Sequence, residues 1–114
     1  MDCIGTKNLR MVIELKVKQF ADKPFIVFED RLGNVIEYTY RQMDEMVNKY
    51  ANILLAKGIS KNDKVVVHLA NSPEYLFAWF ALAKIGAVMI PTNIFSGAFE
   101  MEYYVEFSES VAII

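Results

Sequence analysis

Lys64-Val-Val-Val-His-Leu69, Asn71-Ser-Pro-Glu74 and Ala87-Val-Met-Ile-Pro91 surround an almost unbroken apolar run from Tyr75 to Ala83. The first segment is nearly continuous in apolar, β-branched residues, which suits a parallel strand covered on both faces. The second offers a polar cap, a proline in the first turn and an acid near the positive end of the helix dipole. A helix is therefore predicted from about Pro73 to Ile85. It is apolar almost all round, through Tyr75, Leu76, Phe77, Ala78, Trp79, Phe80, Ala81, Leu82 and Ala83, and a helix of that kind is buried on most sides. Gly86 ends it, Ala87–Ile90 reads as a second strand, and Pro91 terminates that strand. A further helix is predicted over about Gly97–Phe107, and Val111–Ile114 begins a third strand. Strand, helix, strand, helix, strand implies a parallel sheet with right-handed crossovers.

Upstream the pattern changes. From Asn8 to about Phe20, Leu9, Val12, Ile13, Val17 and Phe20 fall mostly three or four apart and form one helical stripe. Asp22-Lys23-Pro24 stops it, because proline disfavours the helical region for the residue before it. Phe25–Phe28 and Val35–Tyr38 read as strands of an antiparallel hairpin around Asp30–Asn34, where Gly33 and Asn34 tolerate positive φ. Thr39 with Gln42 has capping-box spacing, so a helix starts at Tyr40, carries Met43, Met46, Val47, Tyr50, Ile53 and Leu54 on its apolar face, and closes at Gly58. The fold class is thus α/β: a partial, mostly parallel sheet with flanking helices and an N-terminal hairpin. Residues 1–38 form the helix and hairpin, and residues 39–114 a helix followed by the βαβαβ segment.

The chain has 114 residues, the size of one domain, and 54% of them are hydrophobic, including eight Phe, six Tyr, six Met and one Trp. So small a domain has too much surface for its volume to hide them all, so oligomerisation or further polypeptide is expected to cover the excess. The chain stops within a predicted core strand, where domains rarely end, and is read as the front piece of something larger. Its net charge is −2 with bases and acids interspersed, which leaves no footprint for nucleic acid or membrane. Lys84 splits the most apolar region into pieces shorter than the ~18 residues that a membrane span needs. Cys3 is the only cysteine and the N-terminus lacks a signal-peptide pattern, so a cytoplasmic location is expected.

The chemistry-bearing residues are sparse. Gly5, Gly33, Gly58, Gly86 and Gly97 are isolated, so no Gly-rich phosphate loop can be drawn, and no nucleophile elbow is present. His68 stands at the C-terminal end of a predicted parallel strand, where α/β ligand sites lie. A strand-end histidine with a satisfied ring is the simpler reading, since no base or nucleophile is near it in sequence. Helix capping accounts for Asn71 and Ser72, and burial for Phe77, Trp79 and Phe80, although the three aromatics could also line a ring-binding pocket. Asp44 and Glu45 are adjacent and do not face each other on a helix; with Asn48 and Lys49 they read as a solvated face. Gly86 and Pro91 read as structural punctuation.

Taken in order, Thr39-Tyr40, Leu55-Ala-Lys-Gly-Ile59, Asp63-Lys-Val65, Asn71-Ser-Pro-Glu-Tyr75, Ala83-Lys-Ile-Gly-Ala87, Pro91-Thr-Asn93 and Glu100 resemble the N-terminal region of the adenylate-forming superfamily, which includes acyl-CoA synthetases, luciferases and nonribosomal peptide adenylation domains. Met1-Asp2, Ile4-Gly5, Leu9-Arg10-Met11, Val67-His68-Leu69, Trp79-Phe80 and Leu82-Ala-Lys-Ile-Gly86 are most similar to crotonobetaine/carnitine-CoA ligases. Two positions depart from the pattern: Asn62 stands where the superfamily usually has glycine, and Gln42-Met43 replaces an acidic–leucine pair. The resemblance implies that residues 1–114 are the N-terminal fragment of a large AMP-binding domain. It also implies that the intact enzyme uses ATP, Mg2+ and coenzyme A to activate a small carboxylic acid as acyl-AMP and pass it to a thiol. The phosphate loop, the adenine and magnesium segment, the ribose-binding aspartate and the C-terminal lysine would all lie downstream. No catalytic, cofactor-binding or metal residue is therefore assigned here, no cofactor is expected on this piece, and the piece alone is expected to be inactive. A non-catalytic interaction module, or a truncated paralogue on the same scaffold, is the alternative. A stand-alone nucleotide-binding domain is weaker, because fold analogy alone carries little functional weight. The exposed apolar surface is expected to drive homo-oligomerisation of the fragment.

Overall fold

The computed structural model describes residues 5–114; Cys3 and the Met1-Asp2 and Ile4 likeness lie outside the described residues. Helix α1 (Leu9–Phe20) is capped by Asn8, whose Oδ1 accepts from the Met11 amide at 2.9 Å. Strands β1 (Pro24–Glu29) and β2 (Val35–Thr39) pair antiparallel with an irregularity between Pro24 and Ile26. Asp30 organises the turn: its carboxylate accepts from the amides of Leu32 and Asn34 and from the Asn34 side chain, at 2.8, 2.9 and 2.8 Å. Gly33 there takes φ 83°, a conformation that costs other residues steric strain.

The capping box forms at the start of α2 (Tyr40–Ala56). Thr39 Oγ1 accepts from the Gln42 amide at 3.2 Å, and Gln42 Oε1 accepts from the Thr39 amide at 2.9 Å. Glutamine thus performs the role of the more usual acid. The helix ends one residue earlier than expected, with Lys57 as its cap and Gly58 beyond it at φ 88°.

Strand β3 (Lys64–Val67) is followed by α3 (Pro73–Ile85), β4 (Val88–Pro91), α4 (Ala98–Ser108) and β5 (Ala112–Ile113). The three strands are parallel in the order β4-β3-β5, with Val65 opposite both Met89 and Ala112. This is the α/β arrangement the strand–helix alternation implied. His68 and Leu69 lie past the regular strand, although the His68 amide still donates to the Ile114 carbonyl at 2.8 Å.

Two clusters make the core. Ile13, Ile26, Met43, Val47, Ala51, Phe77 and Ala81 join α1, the hairpin, α2 and α3. Ile59, Val65, Val67 and Leu82 join the sheet to α3. Side chains alternate across a strand, so Val66, which is also fully buried, faces the opposite side, where α4 touches β3.

Two expectations are corrected. Helix α3 is buried on most sides, as expected, with Phe77, Ala78, Ala81 and Leu82 enclosed, but Trp79, for which burial was also expected, is 42% exposed and stacks on Phe80 at 5.4 Å. Helices α1 and α2 pack on one side of α3 and the sheet on another, and Trp79 projects where neither covers it. Nor is Asp44 fully part of the solvated face, although Glu45, Asn48 and Lys49 are exposed as expected. Lys84 reaches across from α3 and donates to Asp44 Oδ1 at 2.5 Å and Asn48 Oδ1 at 2.8 Å, with its own side chain 8% exposed. Among the described residues, Glu45 makes no ion pair with Lys49.

Candidate functional site

The C-terminal ends of parallel strands are where open α/β sheets bind ligands, and a cleft of about 630 Å³ lies there. Three loops wall it. The hairpin turn brings Phe28 and Arg31, the loop from β3 to α3 brings Leu69 and Asn71, and the loop after β4 brings Thr92 and Asn93. Sequence order separates these groups widely, and the parallel register of β3 against β4 places their loops side by side.

Behind this wall His68 is tied down. Its Nδ1 lies 2.9 Å from Thr92 Oγ1, and the Thr92 hydroxyl donates to the Val67 carbonyl at 3.4 Å. The Thr92 hydroxyl thus bridges the His68 ring and the Val67 carbonyl. The ring is half-buried and occupied as a strap between two strand ends. Ser72 is the cap of α3, accepting from the Tyr75 amide at 3.3 Å. Asn71 does not share that duty and stays exposed on the cleft. Asn93 stabilises its own loop by accepting from the Phe95 amide at 3.0 Å.

Trp79 lies away from the cleft, over a shallow hollow of about 250 Å³ with Tyr75, Met89 and Pro91. Phe77 is inside, edge-on to Tyr38 at 5.1 Å and to Tyr50 at 5.7 Å. That desolvation holds the Tyr50 phenol above its ordinary value. Asp44 lies on the α2–α3 seam with Lys84, and Gly86 closes α3 at φ 77°. Asp30, at the cleft's edge, is held below the usual carboxylate range, first by the Asn34 side chain and then by its amide.

Sequence reasoning missed Thr92 as the partner of His68, and Arg31 as a cleft residue. Nothing local signalled either one, because both contacts depend on how the loops assemble. The Lys84 anchor had a signal: a lone cation in an otherwise apolar helix requires a partner.

Chemically, the cleft offers one guanidinium, the carboxylates of Glu29 and Asp30, two side-chain amides, the Tyr75 and Thr92 hydroxyls and apolar walls. Among the described residues, no group of three or more His, Cys, Asp or Glu could hold a metal ion. Among them, too, no helix is long and apolar enough to cross a membrane.

The family model described as AMP-binding enzyme matches residues 13–114. The chain belongs to that family. A crotonobetaine/carnitine–CoA ligase of Citrobacter koseri is 43% identical over 93 residues, covering 82% of this chain and 18% of the relative. The ligase of the same name from Salmonella paratyphi A is 42% identical over the same length. The chain therefore spans less than a fifth of these curated relatives. Among solved structures, the N-terminal domain of FACL13 from Mycobacterium tuberculosis superposes with TM-score 0.86 at 29% identity, covering 95% of this chain and 27% of that one. The N-terminal subdomain of Klebsiella oxytoca NpsA gives 0.84 at 26% identity, covering 94% and 27%. The superfamily resemblance read from the ordered motifs, and its nearest likeness, agree with these matches.

Proposed function

We propose that this chain is the N-terminal part of an ATP-dependent acid–thiol ligase whose substrate is a small carboxylic acid of the carnitine or crotonobetaine kind. The identity to the Citrobacter koseri ligase carries this reading. In the reaction, a carboxylate oxygen attacks the α-phosphorus of ATP and pyrophosphate leaves. The coenzyme A thiolate then attacks the acyl carbonyl and AMP departs with the bridging oxygen. Charge on the phosphates needs cationic or backbone donors.

The residues of the present cleft do not fit Mg2+–ATP. Arg31 is their one cation there, beside the carboxylates of Glu29 and Asp30, and none of the lining residues is glycine, as a phosphate loop would need. No step is assigned to them. The role proposed for residues 5–114 is mechanical: the sheet and the packing helices support loops that the remainder of the enzyme completes. On this reading catalytic, cofactor-binding and metal residues lie outside the stretch, the chain alone turns nothing over, and the enzyme works in the cytoplasm. Alone at high concentration the chain self-associates through its open β4 and β5 edges and apolar surface, which light scattering reads directly.

ATP–pyrophosphate exchange tests the functional proposal, using carnitine and crotonobetaine with the 114-residue chain and with a chimera in which it replaces the matching stretch of the Citrobacter koseri ligase. Exchange by the chimera alone is expected. Exchange by the isolated chain, or a folded chimera that is inactive on both acids, would defeat the reading. An interaction module on the same scaffold is favoured by one observation, the exposed aromatics of α4, and it predicts the second of those outcomes.

A further inference from the structure

Helix α4 has two apolar faces. Met101, Tyr104, Val105 and Ser108 are half-buried on the side that meets β3. On the opposite side Phe99, Tyr103 and Phe107, spaced four apart and therefore in line, are 83%, 55% and 77% exposed. The Tyr103 and Phe107 rings stack at 5.5 Å. A helix that merely covers a sheet shows water a polar outer face. An outer face built from three aligned aromatics marks a surface that another layer covers.

We propose that α4 is an interior layer of the complete domain, and that the Phe99–Tyr103–Phe107 stripe is covered by the part of the AMP-binding domain that this chain does not contain. The proposal rests on family membership and not on the acyl-CoA reaction. Two observations select this occupant. The chain covers 27% of the solved FACL13 N-terminal domain, leaving most of that single domain to be accommodated against it. Charge argues against a second copy. Glu102 and Glu106 flank the stripe, both exposed, and α4 carries no basic residue. Two copies laid stripe to stripe would set glutamates against glutamates, whereas an apolar surface with basic residues at its rim fits.

Hydroxyl-radical footprinting tests this by reading oxidation of Phe99, Tyr103 and Phe107, each normalised to the same protein in denaturant. The 114-residue chain is probed at a concentration where light scattering reports a monomer, and the Citrobacter koseri chimera under the same conditions. All three rings are expected to react freely in the chain and to be protected several-fold in the chimera. Equal reactivity in the two overturns the proposal. So does protection that grows with concentration in the chain while the chimera stays open, since a second copy is then the occupant. The variant Phe99→Ser/Tyr103→Ser/Phe107→Ser in the chain alone provides an arm that does not depend on the chimera folding. Its melting midpoint is expected to be unchanged. Loss of folding would place the stripe in the chain's own core and sink the idea. Exchange activity of the chimera is scored separately, so failure of the ligase reading and failure of this one are distinguishable.

Discussion

Asp44→Ala strands the Lys84 ammonium. In the native chain Nζ sits 2.5 Å from Asp44 Oδ1 and 2.8 Å from Asn48 Oδ1, with 8% of the lysine side chain and 23% of the aspartate exposed. Removing one member of a fully buried ion pair costs about 3–5 kcal/mol, because the other charge loses its partner in a poor solvent. Asp44 is more open than that, and Asn48 keeps one bond to the ammonium, so we expect roughly 2 kcal/mol. With a urea m-value of about 1–3 kcal/mol/M, the unfolding midpoint followed by far-UV circular dichroism falls by roughly 1 M. Lys84→Met should cost about 1 kcal/mol or less, since Asp44 retains the Asn48 amide and some water. The double variant Asp44→Leu/Lys84→Met should lie within about 1 kcal/mol of the parent, as apolar replacements of buried pairs often do. If Asp44→Ala costs less than about 0.5 kcal/mol, the pair behaves as a solvated surface bridge and the reasoning fails.

Phe77→Ala empties a site bounded by Tyr38 and Tyr50 and should lower stability by about 3–5 kcal/mol, enough to abolish a cooperative thermal transition. Gly86→Ala forces a Cβ to 3.0 Å from Lys61 Cγ at φ 77°, whereas Gly58→Ala at φ 88° meets nothing within 4 Å. Both should destabilise by about 1 kcal/mol from the left-handed backbone, and Gly86→Ala the more, in matched urea titrations. Asp30 is held below its ordinary value of 3.8 by Asn34, so the turn gains stability above that pH and loses it as pH falls through the lower folded value. NMR of the Leu32 and Asn34 amides should show that acid transition, and Asp30→Asn should remove it. Thr39→Ala should cost about 1 kcal/mol by uncapping α2, visible as faster amide exchange at Gln42.

Most of the fold could be read before any coordinates, because its signals are local. Thr39 and Gln42 need only three residues to announce a helix, and Ser72-Pro73-Glu74 announces another. Val65–Val67 declares a strand covered on both faces by composition alone. What could not be read involves partners far apart in the chain. Lys84 and Asp44, His68 and Thr92, and Arg31 and Asn93 across the cleft are set by the packing of α3 on α2 and by strand register. Burial of Trp79 was overestimated for a related reason. Periodicity tells that a helix face is apolar, but not how many layers the chain provides to cover it.

Strand β3 lies between β4 and β5, both of which follow it in sequence. Val65–Val67 is synthesised before either neighbour exists, and its second one is completed only after on the order of 50 more residues, several seconds at ~5–20 residues per second. During that interval three valines and their amides lack pairing partners, so nascent chains of this protein should depend on a holding chaperone during synthesis in a way that the finished sheet does not.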